Sequence, residues 1–156
     1  MSRVICVLVV LAVPQTPILV AADTDEIAKE FTALRGKWKT VAGEAGGMPF
    51  PKDGIPDFTI TISPTGKCTG QTPKDNLEFT ITIDPKKDPK TIETMHTGGA
   101  QKGKKQYGIY KLEGDKFTVC MTRPGSAEGD RPKDFNTKGT ANVVFVFERV
   151  KEDKKP

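Results

Sequence analysis

One histidine, His96, and three cysteines, Cys6, Cys68 and Cys120, hold most of the soft-ligand and nucleophilic capacity of this 156-residue chain. A zinc-type site needs three or four convergent ligands, most often His or Cys. A single histidine beside scattered cysteines does not supply that set, so no metal is expected. A covalent catalyst needs a nucleophile with a base in reach and a third group to orient the base, and no Ser/His/Asp or Cys/His spacing offers one. His96 follows a strand-like run that ends at Met95 and reads as a surface loop residue. Asp84 and Asp88 flank prolines in a turn and read as solvated carboxylates. The sequence therefore predicts no catalytic residue and no cofactor, and an enzyme is the least supported class.

Two further groups have pointed chemistry. Gly36-Lys37-Trp38 opens the first strand and Arg149 closes the last. A guanidinium across an indole face is worth about 0.5–2 kcal/mol, and Arg149 shares strand parity with Phe145 and Phe147. Gly36, Trp38 and Arg149 read as a structural plug at one end of a barrel, not as a ligand-facing set. Arg131-Pro132-Lys133-Asp134-Phe135 lies in a long connection rich in Gly, Pro and charge. Proline fixes φ and pushes the preceding residue towards an extended conformation. Arg131, Pro132 and Phe135 are read as a loop anchor, with Arg131 paired to a carboxylate, because a long unanchored loop is uncommon in a compact domain. The competing reading has Arg131 at a barrel mouth, offered to an anionic ligand.

The elements that must position these residues are short. Residues 1–22 read as a cleaved secretory signal: Arg3 in a positive start, an apolar run from Val4 to Val13, and Val20-Ala21-Ala22 before Asp23. The apolar run is interrupted by Pro14 and Pro17 and is short of the roughly 20 residues of a membrane span. Cys6 sits inside that run, away from any lipid-attachment point. The mature chain has no other candidate span, and its fold is expected within 23–150, with a polar tail at 151–156. The net charge of +4 is spread over scattered lysines, unlike the arginine and aromatic face of a nucleic-acid binder, so no nucleic-acid partner is expected.

Asp23 to Arg35 reads as an amphipathic helix, with Ile27, Phe31 and Leu34 on one face, Asp23 and Glu26 resembling a capping box, and Gly36 as the stop. So short a helix needs a surface to pack on, and one end of a barrel would provide it. Beyond Gly36 the period changes from 3.6 to 2. Strands are predicted at Lys37–Val41, Phe58–Ile62, Lys67–Gln71, Leu77–Ile83, Lys90–Met95, Lys105–Leu112, Lys116–Met121 and Ala141–Val150. Eight strands in meander order suit a closed all-β antiparallel up-and-down barrel with an N-terminal helix. The interior set is expected to be Phe58, Ile60, Phe79, Ile81, Ile109, Phe117, Val119 and Phe145. Cys68 and Cys120 fall on the third and seventh strands, and a disulfide needs Cα atoms within about 7 Å, so free buried thiols are expected.

A family resemblance runs through the same residues. Leu34-x-Gly36-x-Trp38, Asp84-Pro85 with Pro89-Lys90-Thr91-Ile92, Gly108-Ile109-Tyr110-x-Leu112-x-Gly114-Asp115, Cys120 and Arg131-Pro132-x-x-Phe135 occur in order. The chain thereby resembles a bacterial domain family found mainly in planctomycete-type exported proteins. The resemblance implies a lipocalin-like domain and export, and it brings no catalytic residues because the family has no established activity. The expected molecule is an exported, periplasmic or secreted, monomeric barrel that binds a small apolar ligand. The alternative is a protein-interaction or envelope-associated module with a filled core. An interior cavity of about 300 Å³ or more would favour the ligand site.

Overall fold

The structure, a computed structural model, describes residues 20–73 and 75–151. Helix α1 (Val20–Leu34) leads into β1 (Gly36–Ala45) and a two-residue arm, β2 (Met48–Pro49). The remaining strands are β3 (Thr59–Ile62), β4 (Lys67–Gln71), β5 (Asn76–Asp84), β6 (Lys90–His96), β7 (Lys105–Glu113), β8 (Lys116–Met121) and β9 (Val143–Arg149). Consecutive strands pair antiparallel from β3 to β9, β1 pairs with β3, and β1 also pairs with β9, which closes an eight-stranded barrel with β2 as an appendage on β1. This is the lipocalin-like topology expected from the period-2 pattern. The expected signal segment falls mainly on residues 1–19, and with most of the polar tail it lies outside the described residues.

Several strand ends differ from expectation by one or two residues, β9 among them at Val143–Arg149 against Ala141–Val150; two boundaries differ by more. The helix runs from Val20, so Asp23 and Glu26 lie within it and not at its entry. The first strand runs on to Ala45, four residues past the expected end at Val41. Ala42 and Gly43 carry little strand propensity of their own, but they are held by pairing to Val146 and Phe145 of β9, past an irregularity between Thr40 and Ala42. Gly43 is required there, because a Cβ would lie 2.5 Å from the Phe50 ring folded over it.

The closed end is built as the Gly-x-Trp and Arg149 signals imply. Trp38 and Arg149 are register partners across β1 and β9. Trp38 is fully buried, and its Nε1 donates to the Leu34 carbonyl at 2.8 Å. The Arg149 guanidinium lies 4.1 Å from the indole centroid, and its two terminal nitrogens donate to the carbonyls of Arg35 and Ala33, each at 2.7 Å. The helix end thus has its orphan carbonyls satisfied by an arginine whose charge also suits the negative end of the helix dipole. Gly36 makes the turn with φ +117°, and a Cβ there would come 3.2 Å from Arg149 Nη1. Leu34 is buried, Ile27 and Phe31 pack on the core beneath the barrel, and Glu30 accepts from Lys90 and Tyr110 at 2.7 and 3.1 Å.

Outside the barrel wall lies a second, smaller core of Ile109, Cys120 and Val144, joined by Phe135 and Val146. The connection from β8 to β9 covers it. Arg131 pins that connection by donating from Nη1 to the carbonyls of Ile92 and Gly108, each at 2.9 Å, with its guanidinium 5.2 Å from the Tyr107 ring centroid. Pro132 is buried beside it. The expected anchor exists, but the main partners of Arg131 are two strand carbonyls. Its carboxylate contact, to Glu128, is a 3.5 Å bond at the exposed rim.

Candidate functional site: the barrel cavity

Inward-facing alternate residues of the eight strands fill the closed half of the barrel solidly. Trp38, Phe117 and Tyr110 form tilted and edge-on ring pairs at 5.6 and 6.0 Å between centroids, and Phe147 stacks on Phe117 at 5.9 Å. Aromatic packing of this kind leaves no room at that end. Above it the smaller side chains of β3, β4, β5 and β6 leave a cavity of about 200 Å³. This is below the roughly 300 Å³ at which drug-sized pockets begin, and the bulk of those four aromatic rings accounts for the shortfall.

Of the eight residues expected inside, all but Ile109 line the cavity. Phe58, Phe79 and Phe145 are half-buried at its rim, while Ile60, Ile81, Phe117 and Val119 are buried deeper. Ile109 is a correction. It pairs with Cys120 across β7 and β8, so it shares the outward face with that cysteine and belongs to the second core. The neighbouring Tyr110, opposite Val119, takes the inward place.

Residues the sequence reading did not place inside also line the wall: Ile62, Leu77, Ile92, Met121 and Phe147 extend the apolar surface. For Ile62, Leu77, Met121 and Phe147, parity with Ile60, Phe79, Val119 and Phe145 on the same strands was available as a signal; Ile92 on β6 had no such reference. Four softer or polar groups join them, Cys68, Thr94, His96 and Gln106. His96 is the second correction. Strand β6 runs one residue beyond Met95, and His96 pairs with Phe79 of β5, so it faces inward with Ile92 and Thr94 and is only 8% exposed. Its Nε2 is 2.7 Å from Gln106 Oε1, and its ring stands 6.1 Å from that of Phe79.

Among the described residues, no Asp, Glu, Lys or Arg lines the cavity. Cys68 points into it, and burial pushes its thiol up to about 12, which keeps it protonated and a poor nucleophile. Cys120 sits on the opposite face of the wall, raised to about 11 by burial and by the carboxylates of Asp134 and Glu44. Both are buried free thiols, as expected from their strand positions. Among the described residues, no three His, Cys, Asp or Glu side chains come together to hold a metal. Among them too, no helix is long and apolar enough to cross a membrane.

Arg131 does not line the barrel cavity; it borders a separate, open outer pocket of about 440 Å³ with Lys87, Thr91, Glu128 and Lys133. It stands on the outer face of the wall with Nη1 committed to the carbonyls of Ile92 and Gly108. Comparison with protein-family models and with curated proteins gives no match for this chain.

Proposed function

We propose that the protein is an exported carrier that holds a small, largely apolar molecule in the upper half of its barrel and does no chemistry on it. The volume of about 200 Å³ falls short of the roughly 300 Å³ that would favour a ligand site by size alone; the observation that carries this reading is the character of the wall, mostly aromatic and branched aliphatic side chains around an interior that is not filled. A site of this kind holds its ligand by burial. At about 25 cal/mol per Å², a molecule burying roughly 250 Å² gains about 6 kcal/mol before its entropic cost. That corresponds to micromolar affinity at best. The protonated Cys68 thiol and the solitary histidine support binding without catalysis. Export is supported by Arg3, the Val4 to Val13 run and the Val20-Ala21-Ala22 end, and by the ordered motifs that resemble those of an exported bacterial family.

The competing reading, a monomeric interaction or envelope-associated module with a filled core, has the solid closed half in its favour. One titration separates them. With isoleucine methyl groups labelled, p-xylene is expected to shift Ile60, Ile62, Ile81 and Ile92, which line the cavity, and to leave Ile109 outside the wall unmoved. Val119→Phe, which fills the interior, should abolish the shifts. If no interior methyl responded at saturating p-xylene, the carrier reading would be wrong and the filled-core module would stand.

A further inference from the structure

The polar part of the cavity wall is confined to β6 and its neighbour β7, where Thr94, His96 and Gln106 face inward. His96 is 8% exposed, and its Nδ1 is a buried nitrogen without a hydrogen-bond partner among the described residues. Buried polar atoms in folded proteins are nearly always paired. An unpaired one on a side chain that lines the cavity, covered while the cavity is empty, therefore points to a partner that arrives with the occupant as the ring tilts to meet it.

The character of that nitrogen is set from behind the wall. The Thr122 carbonyl can only accept, so the Gln106 group 2.8 Å from it is the amide NH₂. Gln106 Oε1, an acceptor, then faces His96 Nε2 at 2.7 Å. Nε2 must donate and so carries the ring proton. In the neutral ring Nδ1 is left with a bare lone pair and can only accept. Thr94 lies two residues earlier on the same inward face, buried, and its hydroxyl makes none of the side-chain hydrogen bonds found among the described residues.

We propose that this end of the cavity receives a hydroxyl group, so that the ligand is a small, mostly hydrocarbon alcohol or phenol whose O–H donates to His96 Nδ1. The Thr94 hydroxyl on the same wall is the second polar partner. Gln106, itself held by the Thr122 carbonyl, fixes the imidazole in this tautomer. The assignment rests on the carrier reading and adds to it the chemical class of what is carried. A compound with an ether oxygen in place of the hydroxyl has nothing to donate and gains nothing from His96.

Three probes of nearly one shape test this: p-xylene, p-cresol and 4-methylanisole. Their affinities are measured by isoleucine-methyl shifts in the wild type and in His96→Phe. The substitution is expected to weaken p-cresol about tenfold, the worth of one hydrogen bond to a buried acceptor, and to leave p-xylene and 4-methylanisole within about threefold. His96 is the only histidine in the chain, so imidazole nitrogen NMR gives one unambiguous ring. Nδ1 should appear unprotonated in the wild type and move on addition of p-cresol alone. If all three compounds bound but responded alike to His96→Phe and left the Nδ1 resonance in place, the hydroxyl assignment would fall while the carrier reading survived. If none of the three shifted an interior methyl, both would fall. Should His96→Phe not fold, the wild-type nitrogen resonance decides alone.

Discussion

Arg149 does three things at once: it stacks on Trp38, caps two helix carbonyls and reaches Asp115 Oδ1 at 3.0 Å. A cation–π contact alone would be worth about 0.5–2 kcal/mol. Arg149→Ala also strands the carbonyls of Ala33 and Arg35, so the expected loss is larger, about 2–4 kcal/mol. Trp38→Ala removes a fully buried indole and should cost about 3–5 kcal/mol. Urea melts of the two single variants and the double variant should show coupling of at least about 1 kcal/mol; simple additivity would mean that the pair does not act as one plug. The buried thiols give a second residue-scale expectation. Cys68 is raised from 9.0 to about 12 by burial, so above about pH 9 the unfolded chain has lost a proton that the native state keeps. Stability contributed by this group is present below that pH and is lost as pH rises towards about 12. Native Cys68 should resist a thiol reagent at about pH 8, where ordinary cysteines react. Cys68→Val should flatten part of the alkaline decline in melting temperature; an unchanged pH profile in that variant would exclude the thiol as its source.

At the scale of elements, the β8–β9 connection behaves as a strap held on the outside of the wall. Arg131 fastens it to β6 and β7, Phe135 joins the second core, and Thr137 ties its far end to β1 by donating to Glu44 Oε1 at 2.6 Å and accepting from the Gly47 amide at 2.8 Å. Arg131→Ala should cost about 1.5–3 kcal/mol, the range for hydrogen bonds from a charged donor. Hydrogen exchange should rise along the strap while p-xylene affinity stays within about twofold, since no atom of Arg131 reaches the cavity lining. A loss of p-xylene binding in Arg131→Ala would mean that the strap shapes the interior after all. The same elements show what the sequence made legible. Strong alternation in Phe58–Ile62 and Leu77–Ile83 disclosed strands and their inward faces directly, and Gly-x-Trp with Arg149 disclosed the closed end. Ile109 was misplaced because Gly108-Ile109-Tyr110-Lys111-Leu112 is apolar on both faces over much of its length, so parity alone does not say which side meets the core. Only the register, with Ile109 opposite Cys120, decides it. His96 was missed because Thr-Gly-Gly after it reads as loop, whereas its backbone is held by the Lys104 carbonyl at 3.0 Å and by the Gly103 amide at 2.8 Å, pairing that no local pattern announces.

For the whole molecule, closure through β1 and β9 makes the two ends of the chain unequal. The contacts of Ile27 and Phe31, buried Leu34, the Glu30 bonds and the Trp38–Arg149 clasp hold α1 to the barrel from Ile27 onward. Removal of residues 1–22, the expected export cleavage, therefore takes away none of these contacts. A chain beginning at Asp23 should melt within about 0.5 kcal/mol of the longer one, the range for changes away from buried features, and material exported by a bacterial host should carry that new amino terminus. The other end has no such slack. Strand β9 pairs with both β1 and β8, supplies Phe145 and Phe147 to the cavity wall, and ends in Arg149. A chain stopped at Thr140 loses the closing strand, bares two sheet edges and uncovers the aromatic interior, which is a template for aggregation. It should show no cooperative melt and should bind hydrophobic dyes that the native barrel excludes, with circular dichroism and dye fluorescence as the readouts. A cooperative, monomeric product from residues 23–140 would show that closure by β9 is dispensable, and would overturn the view that the first and last strands complete a single barrel.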